Sequence, residues 1–381
     1  MAVATPRRRE LNPKGDPLSP WWHLDVLLVL AAGVLTVVGL AMIYSATRGL
    51  DPENYDRSLV ERQFMFAVVG AALMVGAVLI PYARLKAWAP VLYIGGIVGC
   101  LAVLSPLGVE VNGAQAWLQI GPMQLQPSEF VKVAFIVVFA GYLSRFDGEL
   151  DLQRLAGGLL VAAIPLGVIL LQPDVGTGLV FVAITLAMLV IGGIRGRHLL
   201  VLVVVGVIGV AVIINSPLLQ EYQRDRLTSF LDPGDDAGGA AYQQRQAQIA
   251  IGAGGLTGAG YGEGSQTRGD FIPEQQTDFI FTVVGEELGF VGAGGVLALF
   301  AIIVWRTWRA ARVAADPFGT LLCTGVMAMI VFQVFEAVGM TMGIMPITGI
   351  PLPLVSYGGS SILATLTALG LVINVSMRRW Q

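Results

Sequence analysis

Apolar positions in this chain come in runs of membrane-crossing length, about 20 residues for a helix, divided by short polar breaks. Stretches without any Asp, Glu, Lys or Arg cover 26–47, 63–83, 87–109, 155–173, 175–194, 198–220, 288–305 and 317–335. The pattern predicts ten helices, at 24–46, 62–80, 87–105, 127–144, 156–171, 175–193, 198–216, 278–304, 318–343 and 358–377, of which the fourth and eighth carry charges of their own. The fold class is therefore all-α and polytopic in the membrane. One integral membrane domain fills 1–381, with a tail at 1–23 and a long loop at 217–277 between the seventh and eighth helices.

Composition agrees. Charged residues make up 13% of the chain and hydrophobic residues 55%, against roughly 25% charged in a soluble domain. With the N-terminus placed in the cytoplasm, fifteen Lys and Arg fall in inside segments and seven in outside ones, four of those seven in the single long loop. That bias predicts both termini cytoplasmic in a cell membrane. The apolar run after Arg7-Arg8-Arg9 is longer than the core of a secretory signal, so it reads as a first membrane helix. Cys100 and Cys323 fall inside apolar runs and read as small buried hydrophobes. His23 and His198 have no other metal-ligating residue type near them in sequence, which argues against an imidazole metal site.

Two outside connections are long. Residues 106–126 form a polar, Trp-bearing segment without Lys or Arg, and 217–277 is rich in Gly, Gln and charge. An amphipathic piece from Tyr242 to Ile251 interrupts the latter, followed by Gly252-Ala253-Gly254-Gly255. No strand precedes these glycines and no Gly-Lys-Ser/Thr follows, so neither a dinucleotide fingerprint nor a phosphate loop is present.

Candidate chemistry gathers where charge meets these helix starts. Asp278 ends the long loop, with Glu286 and Glu287 beyond it. It reads either as a functional carboxylate, by the cost of charge at membrane depth, or as the cap of the next helix. Glu129 and Lys132 stand three apart on the fourth span, close enough to pair, after Pro127. Asp174 sits in the short turn Gln172-Pro173-Asp174 and reads equally as a helix cap. Glu336 lies mid-way along the ninth span and must face the bundle interior. Between Gly349 and Ser361 two prolines and a Gly pair break the helical pattern, which membrane depth tolerates only against protein or a watery cavity. Together these elements predict a polar cavity opening outward beneath the long loop.

Six stretches, in order along most of the chain, resemble the SEDS family (shape, elongation, division and sporulation), nearer its RodA-like than its FtsW-like branch. They are the first span, NGAQAWLQIGPMQLQPSEFVK, QPDVGTG, the run from RLTSFLDP to YGEGSQ, IPEQQTDFIFTVVGEELGFVG and MPITGIPLPLVSYGGSS. The resemblance implies ten membrane helices and polymerisation of peptidoglycan glycan strands from lipid II, in cell elongation and shape maintenance. It also implies a class B penicillin-binding protein as transpeptidase partner, membrane lipid as surroundings and no nucleic acid. A division polymerase of the FtsW type, or a flippase for the lipid-linked precursor, is the alternative. By position Asp278 matches the carboxylate essential for polymerisation, Glu129 and Lys132 the polar pair of one motif, and Asp174 that of another. Gln276 stands where His is usual, Ala116 where Arg is common and Glu336 where Asn is usual.

The implied reaction is attack of an acceptor sugar hydroxyl on the anomeric carbon of a lipid-linked donor, expelling polyprenyl pyrophosphate. Asp278 would serve as general base. Glu129, Lys132, Asp174, Arg224, Arg226, Arg245, Ser356 and Ser360 are candidate substrate-binding residues, with Arg268 a further outside cation. A divalent cation (Mg or Mn) held by carboxylates could share the charge of the leaving group, although the sequence carries no metal signature.

Overall fold

A computed structural model describes residues 23–48, 57–111, 114–121, 123–146, 148–214, 230, 239–269 and 271–379. A helix coincides with each of the ten predicted spans: α1 (Val26–Arg48), α2 (Ser58–Leu79), α3 (Tyr82–Val103), α4 (Pro127–Leu143), α5 (Leu152–Leu170), α6 (Val175–Ile191), α7 (Gly196–Ile214), α10 (Ile280–Arg312), α11 (Pro317–Met342) and α12 (Gly359–Met377). Seven of these are long and apolar enough to cross a membrane, while α6 and α7 are apolar but shorter runs and α4 has 17 residues and two charges. The long loop contributes α8 (Ala240–Ala253), containing the predicted amphipathic piece, and the single turn α9 (Ser265–Arg268). Residues 106–126 are not a featureless connection. They fold as an antiparallel meander, β1 (Gly108–Val111), β2 (Ala114–Ile120) and β3 (Met123–Leu125), with Val109 opposite Trp117 and Leu118 opposite Leu125.

Helix starts are set by short acidic caps and by proline. Asp25, Asp151, Asp174 and Asp316 each accept from a backbone N–H three residues on, at 3.1, 2.8, 2.9 and 2.8 Å. Pro127 and Pro317 open α4 and α11, where their missing N–H costs nothing.

The core is built around α12, in which every residue except Thr367 is buried. It runs parallel to α2 in close contact: a Cβ on Gly70 would lie 2.7 Å from the Leu366 side chain, and one on Gly370 2.6 Å from the Met74 carbonyl oxygen. The carbonyl groups ending α2 are satisfied from α12, since Asn374 donates to Ala77 and Val78, and Arg378 to Val78 and Leu79. By contrast α7 exposes Leu200, Val201, Val203, Val204, Val205, Val207 and Ile208. An apolar face of that extent belongs against acyl chains, not water.

The predicted eighth span is broken near its start. Gly289 (φ 64°, ψ −165°) separates a short buried helix carrying Glu286 and Glu287 from the membrane-length remainder of α10. The glycine-rich turn of the long loop docks into this break, with Phe290 and Val291 N–H donating to the Gly255 and Leu256 carbonyls at 2.9 and 3.1 Å. Ala259 and Gly260 N–H return bonds to the Glu286 and Glu287 carbonyls at 2.9 and 3.1 Å. Backbone meets backbone here, which leaves no room for side chains. A Cβ on Gly258 (φ 86°) would sit 2.0 Å from the Glu287 carbonyl oxygen. Gly258→Val therefore costs roughly 2–4 kcal/mol of stability, read as a lowered thermal midpoint in detergent. Gly33→Ala, where an added Cβ would meet nothing within 4 Å, serves as the neutral control.

Candidate functional site

Five helices begin around one hollow of about 660 Å³. Its wall is made by Arg62 from the first turns of α2, by Gln126, Glu129 and Lys132 at the start of α4, and by Asp174, Gly176 and Thr177 at the start of α6. Asp278, just before α10, and Gly358, Gly359 and Ser361, at the start of α12, complete it. Strand residues Ala116, Trp117 and Gln119 roof one side, and residues 346–351 line the other. Helix N-termini carry partial positive charge, set here beside the side-chain charges of the wall.

Gln126 ties three of these starts together. Its backbone N–H donates to Ser360 Oγ on α12 at 2.8 Å, and its side-chain amide donates to Asp174 Oδ2 on α6 at 3.1 Å. Gln63, buried on α2, donates to the Ser356 carbonyl at 3.1 Å and accepts from Gly358 N–H at 3.1 Å. Gly39 of α1 lets the interrupted segment pass, because a Cβ there would lie 2.6 Å from the Leu354 carbonyl oxygen. Leu354 (φ 65°) and Glu274 (φ 55°) both occupy the left-handed region, a strain held by the surrounding contacts.

Asp278 is half-buried on the cavity wall. Its N–H donates to the Glu274 carbonyl at 3.0 Å, and the Tyr357 N–H donates to the Gln276 carbonyl at 2.9 Å. Gln275, buried beneath, donates to Thr282 Oγ1 at 3.3 Å. The loop carrying Asp278 is thus fastened to two other elements. The cap position of α10 is Phe279, the residue after Asp278, and Phe279 makes no side-chain cap bond.

Glu129 and Lys132 form a buried ion pair at 2.6 Å on the same wall. Asp174 both caps α6 and faces the cavity, so the two readings of that residue are compatible. Burial pushes its carboxyl above the usual range, opposed by the Thr177 N–H bond and by Lys132. Ser356 and Ser360 are occupied in holding backbone, accepting from Leu352 N–H at 2.9 Å and from Gln126 N–H, and neither lines the hollow. Arg245 is exposed on α8 and does not line it either. Arg224 and Arg226 lie outside the described residues.

Four lining residues carry chemistry that the sequence did not single out. Arg62 is exposed at the wall, with its charge near the Tyr357 phenol. Burial raises the Tyr357 phenol, and the Arg62 charge pulls it back. Ser361 presents a buried hydroxyl without a partner, and Glu274 adds a carboxylate. The available signal for Arg62 was its place beside Gln63 at the head of a span. Glu286 and Glu287 serve the loop instead: Glu286 accepts from Gln266 and Thr267 N–H at 2.7 and 2.9 Å, and Glu287 from the Ser45 hydroxyl. Glu336 faces the interior as predicted, accepting from Thr348 Oγ1 at 2.9 Å behind the cavity wall.

Comparison with known proteins fits this arrangement. Residues 25–381 match the family of FtsW, RodA and SpoVE, described as cell cycle proteins. Peptidoglycan glycosyltransferase MrdB of Escherichia coli is 37% identical over 377 residues, covering 97% of both chains. Stage V sporulation protein E of Bacillus subtilis is 36% identical over 92% of this chain and 96% of its own length. A chain of a peptidoglycan synthase complex, solved for its coordination of polymerization and crosslinking, superposes with a TM-score of 0.79 at 32% identity, covering 94% of this chain and 99% of that one. RodA of Thermus thermophilus gives 0.71 at 30% identity, over 95% and 99%.

Removing one partner of the buried Glu129–Lys132 pair strands a charge and costs about 3–5 kcal/mol. Lys132→Met alone should therefore lower the thermal midpoint far more than Glu129→Gln with Lys132→Met together. Asp174 gives the opposite sign. A carboxyl raised by folding favours its protonated form, so it stabilises at acid pH and loses that contribution as pH rises through its folded value. Asp174→Asn, which keeps the cap, should match or exceed the parent in thermal stability at neutral pH, and the difference should vanish on acidification.

Proposed function

The chain belongs to the FtsW, RodA and SpoVE family of cell cycle proteins, and we propose that it is a peptidoglycan glycosyltransferase that polymerises glycan strands from lipid II. The observation that carries the reading is the shared hollow: Asp278, Lys132, Glu129 and Asp174 line one cavity ringed by helix N-termini. Relatives named peptidoglycan glycosyltransferase are similar over almost their whole length, which supports the same chemistry here. The place of work is a cell membrane, with both termini in the cytoplasm.

In the reaction the acceptor hydroxyl oxygen forms a bond to the donor's anomeric carbon. The bond from that carbon to the pyrophosphate oxygen breaks, and the leaving group departs with the electron pair. Asp278 accepts the hydroxyl proton, a contribution of about 10²–10⁴-fold. Charge accumulating on the pyrophosphate is met by Arg62, by Lys132 and by the helix N-termini of α4, α6 and α12. Ser361, with its unpartnered hydroxyl, is placed to donate to a phosphate or sugar oxygen.

Among the described residues no three carboxylate, imidazole or thiol groups converge to hold a metal ion. The carboxylates that face the hollow are Glu129, Asp174, Glu274 and Asp278, and no step is routed through a metal ion. A class B penicillin-binding protein is the partner that this function calls for, since a glycan strand needs crosslinking. That reading agrees with the synthase complex whose chain superposes on this one. The RodA-like assignment, to elongation and not division, is part of this proposal; MrdB matches at 37% identity and an FtsW relative at 35%. Capture of an elongation-type penicillin-binding protein in preference to a division-type one would be its test.

Asp278→Asn should lower lipid II polymerisation in detergent micelles by at least about 100-fold, with folding and partner capture unchanged. Micelles have no two sides, so a precursor flippase would lengthen no glycan in this assay. A fully active Asp278→Asn protein would remove the base role, and an inert parent would remove the polymerase reading.

A further inference from the structure

At the end of the bundle away from the cavity, α10 carries Trp305, Trp308, Arg309 and Arg312. Their spacing is that of one helix face. Trp305 is 48% and Trp308 43% exposed, and both arginines are exposed as well. The Arg312 guanidinium lies over the Trp308 ring, 4.9 Å from its centroid. Next to this face, Arg306 stacks on Trp305 at 5.3 Å while ion-paired to Asp25 at 2.8 Å, so its charge is already met. Arg309 and Arg312 have no carboxylate within ion-pair distance among the described residues.

Toward the middle of α10 the exposed positions continue as Gly294, Leu297, Ala298 and Ala301. The exposed surface therefore passes from apolar, through indole, to guanidinium along the helix. That order matches acyl chain, interface and headgroup in a bilayer leaflet. Cations near a helix C-terminus also answer the dipole, which accounts for the arginines but not for two exposed indoles beneath them. An unneutralised pair of arginines beside an aromatic step selects for a phosphate-bearing amphiphile, because guanidinium matches phosphate geometry and is weakly hydrated.

We propose that this face of α10 holds an anionic phospholipid, its phosphate on Arg309 and Arg312 and its glycerol region against Trp305 and Trp308. The site is separate from the cavity and does not depend on the reaction assigned to it.

The test uses the full chain in phosphatidylcholine nanodiscs, titrated with phosphatidylglycerol or phosphatidylcholine carrying brominated acyl chains, with tryptophan quenching as readout. At about fivefold per arginine, the parent should take up phosphatidylglycerol with roughly 25-fold preference over phosphatidylcholine. R309Q with R312Q should bring that preference near unity. R309K with R312K should keep most of it, which leaves the proposal testable if the glutamine variant misfolds. Trp305→Phe with Trp308→Phe should remove the headgroup-dependent part of the quenching. Equal quenching by both lipids in the parent would overturn the proposal, and is the outcome expected if the face instead receives a partner's helix. An undiminished preference in a folded glutamine variant would overturn it too.

Discussion

A helix that begins at membrane depth leaves four N–H groups without intrahelical partners, and no water in the hydrocarbon can take them. In this chain the starts of α2, α4, α6, α10 and α12 are gathered around one hollow. Glutamine and serine side chains, with the interrupted segment between α11 and α12, meet part of the demand. Gln63 and Gln126 are the fasteners, each bonding across elements more than forty residues apart in sequence. What remains is a polar hollow in which helix N-termini and the cations Arg62 and Lys132 stand beside the carboxylates Glu129, Asp174, Glu274 and Asp278. The same requirement that makes these backbones expensive to bury also gives the hollow its chemistry.

Buried charge is used in two distinct ways. Glu286 and Glu287 are consumed by hydrogen bonds from the long loop and from α1, and they fix the glycine turn into the break at Gly289. Glu129, Lys132 and Asp174 are also buried or capping, yet they face the cavity. Membrane depth alone does not separate these groups. The separation comes from position: Glu129, Lys132 and Asp174 border the open volume, whereas Glu286 and Glu287 are enclosed by the long loop and α1.

The membrane helices were legible because the hydrocarbon imposes length and polarity on each segment separately, so the signal is local. Pro127 and Asp174 marked helix starts for the same reason. The Gly289 break was not legible. Gly-rich apolar sequence reads as a continuous span, and the φ of 64° matters only once the glycine turn at 254–260 is docked against it. Nor was the sheet at 108–125, whose strands are short and roof a cavity that no single-segment pattern encodes. Of the residues that line the cavity, Asp278, Glu129, Lys132 and Asp174 were singled out because a charge in apolar sequence is conspicuous. Arg62 was counted only as one more charge near a membrane boundary. Ser356 and Ser360 were chosen over Ser361 because sequence shows that hydroxyls cluster there, but not which one a neighbouring backbone N–H occupies.

The distribution of polar contacts also bears on mechanism. A carrier that flips its cargo must open the bundle to each side in turn, so its two ends should be comparably easy to part. Here they differ. The cavity end is held by bonds through glutamine and serine side chains and is bordered by strained backbone at Glu274 and Leu354. At the opposite end the start of α1 is tied to α10 by the Asp25–Arg306 pair, and α2 to α12 by Asn374 and Arg378 bonding terminal carbonyls. Opening that end would separate parallel helices packed through Gly70 and Gly370, and would strand carbonyls that nothing else reaches. The polar groups that could handle cargo are thus gathered at one end, while the other is closed by direct ties between helices. A site that loads and discharges on one face, as a polymerase does, suits that asymmetry better than one that must empty through the other.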